Sequence, residues 1–267
     1  MSAHTSASHT SASHTSTSRT LRRARTASAT HTGGLWRMAL QWLLLSAWPL
    51  ALLWSLKPWL MVFWQAVFSL WSRPLGLSLT TRLSPDGQSI QWSAWGDAAF
   101  APSSQQLILH VIGVAAIWLI SGFFSDRWTP LKTTLRALGL IHLSACLFFL
   151  WAPASFPYSI SKHLQALMDM GLGFMWAIPP MLALGWGLLK VPLSQKLLVP
   201  CLVLAYFAVM LPHQWLLHAW LLEHLSILFM PVLFLCMGTL LDLWIFVAIY
   251  AWLASTVPVP PRSMRRA

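Results

Sequence analysis

Six long apolar stretches lie between Leu35 and Ser255, and almost all Lys and Arg residues fall on one side of the zigzag they define. Nothing else in the chain constrains its fold as strongly. A run of about 20 apolar residues crosses the hydrocarbon core of a bilayer as a helix. The stretches are residues 38–57, 106–124, 134–152, 165–189, 197–217 and 225–254. The last two are joined by the segment from His213 to His224, which reads either as a helix extension or as a lip lying on the membrane. Only 9% of the residues are charged and 57% are apolar, whereas a soluble domain carries about 25% charged residues. The expected fold class is an all-α polytopic membrane protein of about six transmembrane helices.

With the N-terminus inside, the cytoplasmic parts hold Arg19, Arg22, Arg23, Arg25, Arg37, Arg127, Lys132, Arg136, Lys190, Lys196, Arg262, Arg265 and Arg266. The outer parts hold Lys57, Arg73, Arg82 and Lys162. Thirteen against four is the asymmetry of a protein with both termini in the cytoplasm. The same bias accounts for the net charge of +11. The basic residues are scattered and form no recognition motif, so nucleic acid is not an expected partner. The compact loops and bare polytopic plan point to a cell inner membrane. Cys146, Cys201 and Cys236 all lie inside spans, where a thiol packs as a small apolar group; no structural disulfide is expected.

Residues 1–34 form a low-complexity tail rich in Ser, Thr, His and Arg, with His4, His9 and His14 in a five-residue repeat. It cannot bury a core, so disorder is expected. Met38, at the start of the first span, is a possible functional start. Residues 35–255 make the membrane domain, and 256–267 a basic cytoplasmic tail. The first span lacks a small-x-small cleavage site and reads as an anchor. It meets Lys57-Pro58, where proline restricts the preceding residue and marks a kink or boundary. Residues 59–72 then read either as an interfacial helix or as the continuation of a long, tilted span.

The one sizeable outer segment is 73–105. Leu75, Leu77, Leu79, Thr81 and Leu83 alternate with polar or small residues, Ser84-Pro85-Asp86-Gly87 is a turn, and Ser89 to Trp92 resumes alternation. This predicts a β-hairpin. Such a hairpin is marginal alone in water, so it is expected to dock on the interfacial helix, on loops or on another protein. In the fourth span, Pro179 and Pro180 predict a helix break, because each removes a backbone donor.

Ionisable residues inside a bilayer are costly and mark functional sites. Asp242, in the last span, is the deepest. Asp169 enters the fourth span at about the depth of Lys57, so an Asp169–Lys57 pair is possible. The outer half also collects His110, His163, His213, His218, Glu223 and His224. Imidazoles bind metal or haem only when they converge. The spacing of His213, His218 and His224 puts them on different helix faces, so they are weak metal candidates, as is His110, and no cofactor is expected. His142 is a lone buried histidine. There is no G-x-S-x-G, H-E-x-x-H or phosphate-cradling Gly loop.

From Met38 to residue 189, the layout resembles that of the small membrane proteins that accompany exosortases. The shared features are a first span, an amphipathic stretch, a short outer β-like segment such as Leu77 to Trp92, and three further spans. The resemblance lies in arrangement, covers a little over half the chain, and does not extend to the last two spans. Exosortases themselves use a Cys, an Arg and a His near the outer face. Here no Cys lies in an outer loop and no span holds Arg in its interior, so the resemblance implies an accessory role.

Three functions follow as expectations. The first is a non-catalytic inner-membrane subunit that works with another membrane protein in secretion, sorting or envelope assembly. The second is a small transporter or channel using the broken fourth span and Asp242. The third is a metal- or haem-binding redox protein using the outer histidines.

Overall fold

The computed structural model describes residues 14–94, 102–155, 159–188 and 192–256, with side chains from Trp36 onward. The helices are α1 (His14–Ser72), α2 (Ser104–Gly122), α3 (Thr129–Trp151), α4 (Ile160–Leu188), α5 (Leu193–His224), α6 (Met230–Cys236) and α7 (Thr239–Ser255). Strands β1 (Leu79–Leu83) and β2 (Ile90–Ala94) form the one sheet among the described residues. Six helical segments are long and apolar enough to cross a membrane: Trp36–Ser72, Ser104–Gly122, Asp126–Trp151, Ile160–Trp186, Leu193–His224 and Ile227–Ser255. They correspond one for one to the six apolar stretches. Of the tail, residues 1–13 lie outside the described residues, and for 14–35 only a backbone path continuous with α1 is described. The basic end beyond Thr256 is also outside them.

Lys57-Pro58 does not end the first helix. From Trp36 to Ser72, α1 runs 37 residues through Pro49 and Pro58, a length of about 55 Å at about 1.5 Å per residue. Even at about 40° of tilt it outruns a hydrocarbon core of about 30 Å. The indole of Trp42 donates to the carbonyl of Pro180 at 3.0 Å, which sets the Trp36 end of α1 level with the Leu188 end of α4. The excess length therefore lies at the Ser72 end. The His213–His224 segment likewise proves to be helix, the last third of α5.

That projecting end carries the hairpin. Positive φ at Gly76 (63°) turns the chain back along α1. The strands pair Leu83 with Ile90 and Thr81 with Trp92 on the inner face, and Arg82 with Gln91 and Thr80 with Ser93 on the outer face. The turn closes with Gly87 N–H donating to the Ser84 carbonyl at 2.8 Å, φ at Gly87 being +67°. Ile90 is wholly buried and Leu79 nearly so. Trp92 meets Phe68 edge-on at 4.4 Å, and Phe68 and Trp64 both pack on Trp215 of α5. The Glu223 carboxylate accepts from Ser78 N–H (3.0 Å) and Ser78 Oγ–H (2.9 Å). The hairpin thus docks on its own helices.

Two cores result. The larger joins α1, α4, α5, α7 and the hairpin. The smaller, around Leu107, Cys146, Phe149 and Leu228, joins α2 and α3 to the start of the last span. Helices approach closely at glycines: Gly171 lies against Trp215 and Leu211, and Gly185 against the ring of Tyr250.

Removing side-chain bulk at the hairpin root should loosen it. Ile90→Ala is expected to cost about 2–5 kcal/mol, read as earlier proteolysis at the turn and a lower unfolding temperature in detergent. The turn also carries a pH dependence. The Gln88 N–H, then the Ser84 hydroxyl, hold the Asp86 carboxyl below its ordinary value of 3.8, with Lys57 adding a smaller pull. Its contribution is complete above that ordinary value and fades as pH falls through the lower folded one. An NMR titration of the Gln88 amide should show the midpoint below 3.8.

Candidate functional site at the break in the last span

The helix break predicted at Pro179 and Pro180 does not occur. Helix α4 passes through both prolines without interruption. Neighbouring helices tolerate such prolines in membrane bundles; here Ile178 and Leu182 are completely buried on either side, and Trp42 binds the Pro180 carbonyl. The interruption falls instead in the last span, between α6 and α7, at Met237 and Gly238. A Cβ at Gly238 would collide with the Phe234 carbonyl and press on Leu167, so only glycine lets the chain turn there.

A break inside an apolar bundle exposes carbonyls that need donors. Two side chains of α5 supply them. Gln214 Nε2 donates to the Met237 carbonyl and, at 3.4 Å, to that of Gly238. His218 Nε2 lies 3.0 Å from the Met237 carbonyl. A carbonyl only accepts, so His218 carries its proton on Nε2 and presents a bare Nδ1. That Nδ1 lies 3.3 Å from Nε2 of His163 on α4, which is therefore the donor. The two rings stack at 5.6 Å. The result is a directed chain from His163 through His218 to the break, with all three side chains buried.

Asp242 sits one turn into α7, 3% exposed. Its backbone N–H closes on the Gly238 carbonyl at 3.2 Å. The polar side chain beside its carboxyl is Gln214. Asp242 Oδ1 and Gln214 Oε1 are both buried acceptors without a hydrogen-bond donor. Buried polar atoms are rarely left so, which makes this pair the candidate site among the described residues.

The other candidates are dispersed. Asp169 accepts from Gln165 at 3.1 Å and does not pair with Lys57, which lies instead toward the hairpin turn. His213 and His224 are exposed and bond within their own helix, to the carbonyls of Val209 and Trp220. His110 pairs with His142 at 2.8 Å and not with any histidine of α5, which removes the geometry for a haem between them. Among the described residues no three His, Cys, Asp or Glu side chains converge on a metal-sized point. The cysteines are free thiols.

Sequence reading did not single out Gln214, and placed His163 and His218 among the scattered histidines of the outer half, His218 as a weak metal candidate. The available signal was a glutamine and a histidine four residues apart in an apolar helix, which share one face. Comparison with known families, with curated proteins and with solved structures finds no match.

Asp242→Asn should stabilise the fold. The neutral amide removes a buried carboxylate and adds a donor beside Gln214. The unfolding temperature in detergent is expected to rise, by the equivalent of about 1 kcal/mol. Asp242→Leu should lower it, since it removes the polar neighbour of Gln214 and puts a branched apolar side chain at a buried polar position.

Proposed function

We propose that this protein is a non-catalytic subunit of a secretion, sorting or envelope-assembly system, set in the cell inner membrane with both termini in the cytoplasm. It works by presenting its hairpin end to another membrane protein. The orientation rests on the thirteen-to-four distribution of Lys and Arg.

One observation carries the docking role. Between the end of α1, the hairpin and α5 lies a cavity of about 350 Å³, with Phe68, Leu79, Trp92 and Leu216 at its base and Ser69 and Arg73 at its edge. The Trp92 indole N–H is buried and unpartnered. An apolar floor, an orphan donor and a guanidinium suit an apolar anchor residue of a partner, followed by a carbonyl or carboxylate. Trp59, Val62, Phe63 and Leu70 remain exposed on the projecting part of α1, continuing the apolar surface.

Purification from the native membrane in mild detergent, with mass spectrometry, is the test. A stoichiometric partner is expected, and Ser69→Trp, which fills the cavity, should lower its recovery at least about tenfold with unfolding temperature unchanged. Recovery of the protein alone, or equal recovery with Ser69→Trp, would remove the reading.

The broken last span favours a second reading, a small transporter or channel. Discontinuous helices with polar groups at the break line substrate and ion sites in transporters. In reconstituted vesicles Asp242→Asn should then abolish proton-coupled flux while keeping the fold. Unchanged flux would take Asp242 out of any mechanism.

A further inference from the structure

A basic patch closes the paired helices α2 and α3 at the end where they join. Arg127, Lys132 and Arg136 lie between residues 122 and 136, against Asp126 alone. Arg136 is held from two sides. Its Nε donates to Ser121 Oγ at 2.9 Å. Ser121 is wholly buried in the last turn of α2, and its hydroxyl donates onward to the Trp118 carbonyl at 2.8 Å. The guanidinium carbon also lies 5.5 Å from the centroid of the Trp118 ring, a cation–π contact. Gly139 of α3 leaves room for that ring: a Cβ there would lie 3.1 Å from Trp118 Nε1.

This anchoring uses one of the N–H donors of Arg136. Those on its two Nη atoms have no hydrogen-bond or carboxylate partner among the described residues. A guanidinium held in a fixed plane presents them as a fork that matches two oxygens of one anion. Lys132 lies four residues before Arg136, hence on the same face of α3 and one turn nearer the joining loop. Two cations on one face favour a ligand of net negative charge.

The surroundings select among anions. Phe123 is 89% exposed, and Ile120, Trp128 and Leu131 also turn apolar side chains outward. Aromatic rings at the end of a span sit in the headgroup layer of a bilayer. A small soluble anion would meet the fork and leave this apolar rim bare. A phospholipid phosphate meets the fork and lays its acyl chains along α2 and α3. Basic pockets between spanning helices hold anionic headgroups in this way. We propose that Arg136 and Lys132 form a site for the phosphodiester of an anionic phospholipid, with Arg136 as the oriented fork. The site is independent of the docking role of the hairpin end.

The test is native mass spectrometry of the full chain in detergent micelles carrying defined dioleoyl lipids. A saturable phosphatidylglycerol adduct is expected, bound about tenfold more tightly than phosphatidylcholine, whose headgroup brings its own cation. Arg136→Gln and Lys132→Gln should each weaken phosphatidylglycerol binding by about fivefold, the scale of one basic residue at a charged lipid surface. Arg136→Lys keeps the charge, loses the fork and should lose most of the same affinity. Arg82→Gln, on the outer face of the hairpin, removes an equal charge elsewhere and should change nothing. Equal binding of the two lipids would overturn the proposal, as would wild-type affinity in Arg136→Gln. Wild-type affinity in Arg136→Lys, or an equal loss in Arg82→Gln, would overturn it in favour of diffuse attraction. Displacement of the lipid by millimolar glycerol phosphate would overturn it in favour of a small soluble anion. The wild-type contrasts between the two lipids and with glycerol phosphate stand even if a variant fails to fold.

Discussion

The structure depends on one seam of aromatic rings. Trp64 on α1 meets Trp215 on α5 edge-on at 4.9 Å, and its indole donates to the Ala208 carbonyl at 2.8 Å. Phe68 continues the contact one turn along and passes it to Trp92 of the hairpin. Large rings combine buried area with directional contacts, and these four join the longest helix, the parallel helix α5 and the sheet into one body. Gly171 makes the seam possible from the α4 side, since any side chain there would strike Trp215. Without the seam, α1 past Lys57 would be a lone helix end with a hairpin too small to hold itself.

Much of this was readable from residue type alone. Span number follows from apolar length, which lipid enforces directly. The hairpin follows from alternation around Ser84-Pro85-Asp86-Gly87, whose turn chemistry is local. The helix break was misplaced because proline is a local signal judged by the backbone donor it lacks. Pro179 and Pro180 sit where burial on both sides and Trp42 hold the helix together. Gly238 looks unremarkable in sequence. Its role comes from the Phe234 carbonyl and Leu167, a contact between elements that no window of residues reveals.

The candidate site was legible only in its parts. Asp242 stood out because an acid in a span is costly wherever it lies. Gln214 did not, since an amide in a helix is ordinary until a neighbouring helix opens its carbonyls toward it. Histidines posed the same difficulty. Spacing along α5 set His213, His218 and His224 on different faces without saying which turned inward, and the pairings His163–His218 and His110–His142 cross between helices. Helix packing decides those, and spacing along one chain cannot.

The short stretch from Ile227 to Gly238 touches both buried polar groups. At one end Phe229 packs on the rings of His110 and His142; at the other the Met237 carbonyl receives His218 and Gln214. The α6 segment between them spans seven residues and ends in a glycine joint. The His110–His142 pair and the His163–His218 chain therefore meet opposite ends of the same short helix.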